Sequence, residues 1–186
     1  YRNASAEQAD IHLMLNPGTD GALACAVMHV LFKEGYADKS YMTRYTDSPE
    51  KLEIHLKDKT PTWAADITGL SEEEIISFAR MYGQTQKSFI RCGYGFTRSR
   101  NGAAQMHAVS CLPAVTGAWQ YHGGGALYSN AALYNIDSTL IMGLDQLDKN
   151  IRVLDQSRIG EILNGNVDDL GDGPPVKALL IHNTNP

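Results

Sequence analysis

The sequence predicts a helix-rich α/β fold with a Rossmann-like, largely parallel sheet flanked by helices. Three observations carry this expectation. Short apolar runs alternate with longer segments of helical period. Val176-Lys177-Ala178-Leu179-Leu180-Ile181 is apolar on both faces, as central strands of parallel sheets are. Two further strand-like runs end in glycine-bearing turns that open helices, the arrangement by which α/β proteins bind anions and nucleotides.

The first of these runs is Ile11-His12-Leu13-Met14-Leu15. It leads into Pro17-Gly18-Thr19-Asp20, where proline and glycine bend the backbone and Thr19 or Asp20 caps the following helix. An aspartate at that position can also accept two hydrogen bonds from the N1–H and N2–H2 edge of a guanine. In the helix, Leu23, Ala26, Val27, Val30 and Leu31 form one apolar stripe, and Gly35 ends it. A short helix follows from Asp38 to Tyr45, capped by Asp38. Another runs from Ser48 to Lys57, with Pro49 at its first position, where a missing N–H costs nothing. Pro61 to Ile67 reads as a further helical turn. Ser71-Glu72-Glu73-Glu74 is a capping box for a helix that buries Ile75, Ile76, Ala79 and Tyr82. Gly83 is its expected terminator.

The second strand-and-turn unit starts at Ser88-Phe89-Ile90-Arg91-Cys92. It enters Gly93-Tyr94-Gly95-Phe96-Thr97-Arg98-Ser99-Arg100-Asn101-Gly102, where glycines permit close approach of a ligand and the arginines can bind phosphate. The spacing is not the dinucleotide fingerprint, because the third glycine and the following acid are missing. A helix from about Asn101 directs Ala104, Ala108, Cys111, Leu112 and Val115 inward, and Pro113 kinks it or ends its regular part. Gly117 to Gly125 is a loop whose three consecutive glycines serve unusual backbone angles, close approach to a ligand or simple flexibility. Ala126 to Leu147 mixes loop and short helix. Asp155 to Leu163 is a short helix, and Gly165 to Pro175 a turn-rich link.

Composition narrows the classes. With 186 residues, 43% of them hydrophobic, the chain can bury the core of one domain or slightly more. A net charge of −5 without a basic stripe argues against a nucleic-acid surface. No apolar run approaches the length of a membrane span. Cys25, Cys92 and Cys111 lie far apart and read as buried free thiols, and their odd number leans toward a reducing compartment. The six histidines are scattered, none at metal-ligand spacing, although His122 adjoins the glycine triplet. No catalytic residue is assigned.

In order and spacing, these segments resemble the molybdopterin oxidoreductases of the dimethyl sulfoxide reductase type. The resemblance runs through Ala9-Asp10-Ile11-His12-Leu13, Pro17-Gly18-Thr19-Asp20-Gly21-Ala22-Leu23-Ala24, Ile67-Thr68-Gly69-Leu70 and Ala79-Arg80-Met81-Tyr82-Gly83. It continues through Arg91-Cys92-Gly93-Tyr94-Gly95, Leu112-Pro113-Ala114-Val115-Thr116-Gly117, Gly123-Gly124-Gly125 and Asn183-Thr184-Asn185-Pro186. It implies a molybdenum bis-molybdopterin guanine dinucleotide cofactor and a two-electron redox or oxygen-atom transfer reaction. By the same resemblance, Pro17, Gly18, Thr19 and Asp20 face one guanine nucleotide. Gly93, Tyr94 and Gly95 line the pterin or pyrophosphate, with Arg98 or Asn101 donating hydrogen bonds. Asn183, Thr184 and Asn185 contact the other nucleotide.

Family members are several times longer and usually carry an iron–sulfur centre, commonly a 4Fe-4S cluster, in an upstream cysteine cluster. The expectation is therefore an internal piece of the large catalytic subunit, inactive alone and prone to self-association. Residues 1–122 are assigned to one nucleotide-binding domain and 123–186 to a crossover into its neighbour. The implied partners are the cofactor, the remaining domains and electron-transfer subunits. Two other readings stay open: a different Rossmann-like dehydrogenase, and a non-catalytic α/β interaction module.

Overall fold

The computed structural model describes residues 2–129, 134 and 136–181. The chain divides into two compact units, Tyr1–Tyr134 and Asn135–Pro186. In the first, the described helices are α1 (Ala4–Glu7), α2 (Asp20–Lys33), α3 (Lys39–Tyr45), α4 (Pro49–His55), α5 (Pro61–Thr68), α6 (Glu72–Gln84) and α7 (Gly102–Val115). Strand β1 (Phe89–Arg91) pairs in parallel with β2 (Gly125–Leu127), Ile90 lying opposite Ala126. The second unit contains α8 (Thr139–Met142), α9 (Ile159–Leu163) and α10 (Val167–Leu170).

The first unit is organised around α2. Its Ala24, Ala26, Val27, Met28, Val30 and Leu31 are all buried, more of the circumference than a single stripe would cover. A helix apolar all round must be surrounded. Helices α5, α6 and α7 pack against it, and Met42, Leu56, Ala79, Tyr82, Leu112 and Val115 complete its main cluster. Each large side chain taken out of water there contributes about 1.5–3 kcal/mol.

Local chemistry fixes the surrounding helices. Asp38 accepts from the Tyr41 amide at 2.8 Å, and Thr60 from the Trp63 amide at 3.2 Å, with Pro61 opening α5. Ser71 and Glu74 form the expected capping box, and the Ser71 donors hold the Glu74 carboxyl below the usual carboxylate range. Ile75, Ala79 and Tyr82 are buried as the pattern requires. Helix α7 carries Pro113 in its last turn and stops two residues later.

The fold is the expected helix-rich α/β arrangement with parallel pairing, and among the described residues its sheet is a single parallel pair. Three expectations need correction. Neither Ile11 to Leu15 nor Val176 to Ile181 forms a strand. A strand exists only where a neighbour supplies ladder bonds, and none of the described residues does so for either run. Gly83 does not terminate α6, which continues to Gln84 with Thr85 as its C-cap. It is small for packing: a Cβ there would lie 2.6 Å from Tyr36 Cγ and 2.8 Å from Leu31 Cδ2. Finally, the inward face of α7 holds at Leu112 and Val115, with Ala108 and Cys111 packed against the core, but not at its start, where Ala104 is exposed and Gly102 and Gln105 are buried.

The second unit has a different character. Its buried apolar side chains among the described residues are Ile162 and Leu170. Polar contacts do much of the joining. Arg158 forks onto Asp169 with both distances 3.0 Å, and Arg152 donates to the carbonyls of Leu170 and Pro174. Leu140, Val153 and Leu180 are each more than 90% exposed, so this unit presents apolar surface to its surroundings.

Two glycines inside helices test this packing account. Alanine favours a helix interior over glycine by about 1 kcal/mol. Gly83→Ala should nonetheless destabilise the protein by about 1–3 kcal/mol, because its methyl enters occupied space. Gly160 in α9 has open space around it, so Gly160→Ala should stabilise by roughly 0.5 kcal/mol. Urea unfolding of both variants reads the opposite signs. The thiols supply a second test. Burial pushes Cys25, Cys92 and Cys111 above the ordinary thiol range. Alkylation at pH 7.5 should run about tenfold slower than for free cysteine, slowest at Cys92, and recover on denaturation.

Candidate cofactor-binding site

The first turn is built at the end of the run preceding α2. The Asn16 amide donates to Thr68 O at 2.8 Å, and Asn16 Nδ2 to Ile67 O at 3.2 Å. These bonds pin the approach to Pro17 against the end of α5. Gly18 takes φ of +82°, a conformation that L side chains rarely adopt. Thr19 occupies the N-cap position of α2 but does not cap it. Its hydroxyl donates back to Asn16 O at 2.6 Å, and the helix start has no side-chain cap. Asp20 is the first helical residue, half-buried, and makes no hydrogen bond or ion pair among the described residues. The expected capping by Thr19 or Asp20 is therefore corrected. The helix opening keeps unsatisfied donors beside an unengaged carboxylate.

The second turn follows β1. The Cys92 amide donates to Leu127 O at 2.9 Å, which carries the chain to the edge of the sheet. Gly93 and Gly95 are exposed, with open space where a Cβ would stand. Tyr94 to Arg98 forms a 3₁₀ turn. Tyr94 stacks edge-on against Tyr128 at 5.1 Å, and its hydroxyl donates to Ser129 Oγ at 3.0 Å. Ser99 Oγ donates to Phe96 O at 2.9 Å. Arg98 and Arg100 are exposed at the surface of this loop. Gly102 admits no side chain, since a Cβ would sit 1.7 Å from Phe96 O.

The structure brings the two turns together through Gln105. Its Nε2 donates to Asn101 Oδ1 at 2.7 Å and to Ser99 Oγ at 3.0 Å. A Cβ on Gly18 would lie 3.8 Å from Ser99 Cβ and 3.9 Å from Gln105 Nε2. A Cβ on Gly21 would lie 3.5 Å from Gln105 Cα, an ordinary contact distance, so the first turn of α7 lies against the first turn of α2. A cleft of about 320 Å³ opens at the junction, lined by Gly18, Thr19, Lys59, Trp63, Asn101 and Gln105 among others. Lys59 Nζ lies 5.1 Å from the Trp63 ring centre.

Of the sequence-predicted residues, Gly18, Thr19 and Asn101 share this cleft, with Pro17 and Asp20 flanking the first two in the chain. Tyr94 is engaged with Tyr128 and Ser129 instead. Asn183, Thr184 and Asn185 lie outside the described residues. Sequence reasoning missed Gln105, Ser99 and Gly102. The signal available for Gln105 was its spacing of four from Asn101, which puts the two on one helix face.

Of the readings for the glycine triplet, unusual backbone angles are borne out, since Gly123 takes φ of +80° and Gly125 +108°. A Cβ on Gly124 would stand 2.2 Å from Ala118 O, and one on Gly125 would stand 2.3 Å from Trp119. These two glycines serve close approach of the protein to itself. His122 is exposed beside them.

Comparison with known proteins supplies the family. The molybdopterin oxidoreductase family profile matches residues 2–181. A probable oxidoreductase of Bacillus subtilis, YoaE, is 36% identical over the whole of this chain, which corresponds to 27% of that protein. The dimethyl sulfoxide reductase DmsA of Haemophilus influenzae is 34% identical across 67% of this chain and 18% of its own length. Acetylene hydratase from Pelobacter acetylenicus superposes with a TM-score of 0.62 and 27% identity over 67% of this chain and 17% of that one. The chain thus spans about a quarter or less of the length of these relatives. The order of its elements and the match along nearly its full length place it in the molybdopterin oxidoreductase family.

Proposed function

We propose that this chain forms part of the cofactor-binding scaffold of a molybdenum enzyme carrying bis-molybdopterin guanine dinucleotide. The observation that carries the reading is the meeting of the Gly18–Thr19 turn with Asn101 at an uncapped helix start. An uncapped N-terminus with a positive dipole end suits a phosphate, and an unengaged aspartate beside it suits the donor edge of a guanine. The residues fit such a group. Gly93 and Gly95 leave room for it, and the buried Gln105 Oε1 has no hydrogen-bond partner.

In this reading Asp20 selects guanine, and Pro17, Gly18 and Thr19 shape the turn that holds the nucleotide. Gly93, Tyr94 and Gly95 line the pterin or pyrophosphate, and Arg98 and Asn101 donate to its oxygens. Asn183, Thr184 and Asn185 serve a second nucleotide. The bound cofactor supplies the two-electron redox chemistry or oxygen-atom transfer of the complete enzyme. The chain's residues bind and orient it. A 4Fe-4S cluster and electron-transfer subunits belong to the rest of that enzyme. We assign residues 1–122 to one nucleotide-binding domain and 123–186 to the crossover into the next. The apolar side chains of the second unit are surfaces for those further domains, and in isolation they favour self-association.

The test is titration calorimetry on the complete protein carrying this chain, produced without its molybdenum cofactor. GMP should bind saturably and AMP should not. Asp20→Asn removes the charge from the acceptor pair and should weaken GMP by about ten- to a hundredfold, the worth of charged hydrogen bonds at about 1.5–3 kcal/mol. Equal uptake of GMP and AMP, or undiminished GMP binding by the variant, would remove Asp20 from guanine recognition.

A further inference from the structure

We infer that Gln105 is a positioning residue of the nucleotide-binding rim, locking the 94–101 loop onto the α2 turn while leaving its own carbonyl oxygen for a ligand donor. This inference rests on the scaffold reading above and adds a residue to it.

Gln105 is 3% exposed, one of two buried polar residues among the described ones. Burying an amide is unfavourable unless its groups are paired. The nitrogen end is paired twice, to Ser99 Oγ and Asn101 Oδ1. Both partners belong to the loop that follows β1, so one side chain ties the loop's end to the first turns of α7. The stem of the same side chain packs on Gly21, whose Cβ position is 3.4 Å from Gln105 Cγ. Loop, α7 and the opening of α2 therefore meet on one residue.

The oxygen end is different. Gln105 Oε1 is buried with no hydrogen-bond partner. A glutamine serving packing alone would be better replaced by leucine or methionine, which bury no acceptor. Rotating the Gln105 amide alone turns its carbonyl toward Asn101 Oδ1, leaving two acceptors facing each other. Rotating both amides restores that pair but leaves the Gln105 nitrogen unpaired, so one end of the buried amide lacks a partner either way. Gln105 also lines the cleft that holds Gly18, Thr19 and Asn101. An N–H or O–H donor seated there, such as a ribose hydroxyl or a base imino group, completes the pairing.

The experiment compares Gln105→Leu and Ser99→Ala with the parent in the complete, cofactor-free protein, reading two quantities. Hydrogen exchange of backbone amides in residues 94–101 reports the lock. Calorimetry with GMP reports the ligand role. Gln105→Leu should speed exchange in that loop and weaken GMP by about tenfold or more. Ser99→Ala, which keeps the free acceptor and removes one lock partner, should shift both quantities in the same direction by less. It carries the test if Gln105→Leu does not fold. Unchanged exchange overturns the inference, and so does faster exchange with unchanged GMP affinity, which would make Gln105 a stability residue only. If the parent protein itself takes up no GMP, the guanine reading fails separately. The inference then falls with it in its ligand half, and the exchange comparison decides only the lock: faster exchange keeps the tie between loop and helix, and parental exchange ends that too.

Discussion

The arrangement depends on the burial of α2. Its side chains are apolar around most of the circumference, so it is stable only when neighbours cover it. Helices α5, α6 and α7 do so, and their positions follow from that requirement. A glycine sets how closely α6 comes: Gly83 admits Tyr36 and Leu31, where a Cβ would stand under 3 Å away, whereas the Gln105 segment of α7 lies at ordinary contact distance from Gly21. Because α7 reaches α2 near the first turn of both helices, the loops that precede them are brought to one rim. Core packing brings the two turns of the candidate site together, and contacts within the loops set their local shape.

Much of this was legible where a pattern is local. The capping box at Ser71 and Glu74, the Asp38 cap and the Pro61 helix start need only neighbouring residues, and all three form as read. The strand at Phe89–Arg91 was legible because the chain itself supplies its partner. Ile11 to Leu15 and Val176 to Ile181 have equal strand character in sequence but no ladder partner among the described residues. Propensity describes a residue's fit to a sheet and does not provide the neighbouring strand.

Gly83 failed for another reason. A glycine near a helix end reads as a stop, and only tertiary contact reveals that it is a cavity for Tyr36. The same applies to Gly124 and Gly125, whose need for small size comes from Ala118 and Trp119. Gln105 was hidden by its surroundings: the apolar face of α7 holds from Ala108 to Val115, and only its first turn buries a polar side chain in place of Ala104. In each case the decisive partner is distant in sequence or on an unanticipated face.

The two best-defined helix starts differ in a way that bears on function. Helix α6 closes its own N-terminus, since Ser71 accepts from the Glu74 amide while Glu74 accepts from Ser71. Those donors and acceptors are spent on each other, and the three glutamates of the first turn repel any further anion. At α2 the residue able to cap, Thr19, turns its hydroxyl back to Asn16 O. Asp20 sits one position too far into the helix to cap it. In the proposed reading, capping and base recognition would otherwise compete for the same carboxylate oxygens, and the first helical position keeps the acid clear of the cap. The amides at the helix start remain available to an anion, and the carboxylate remains available to a donor edge. A nucleotide carries both chemistries on one molecule, which is the argument for proposing one here rather than a simple anion.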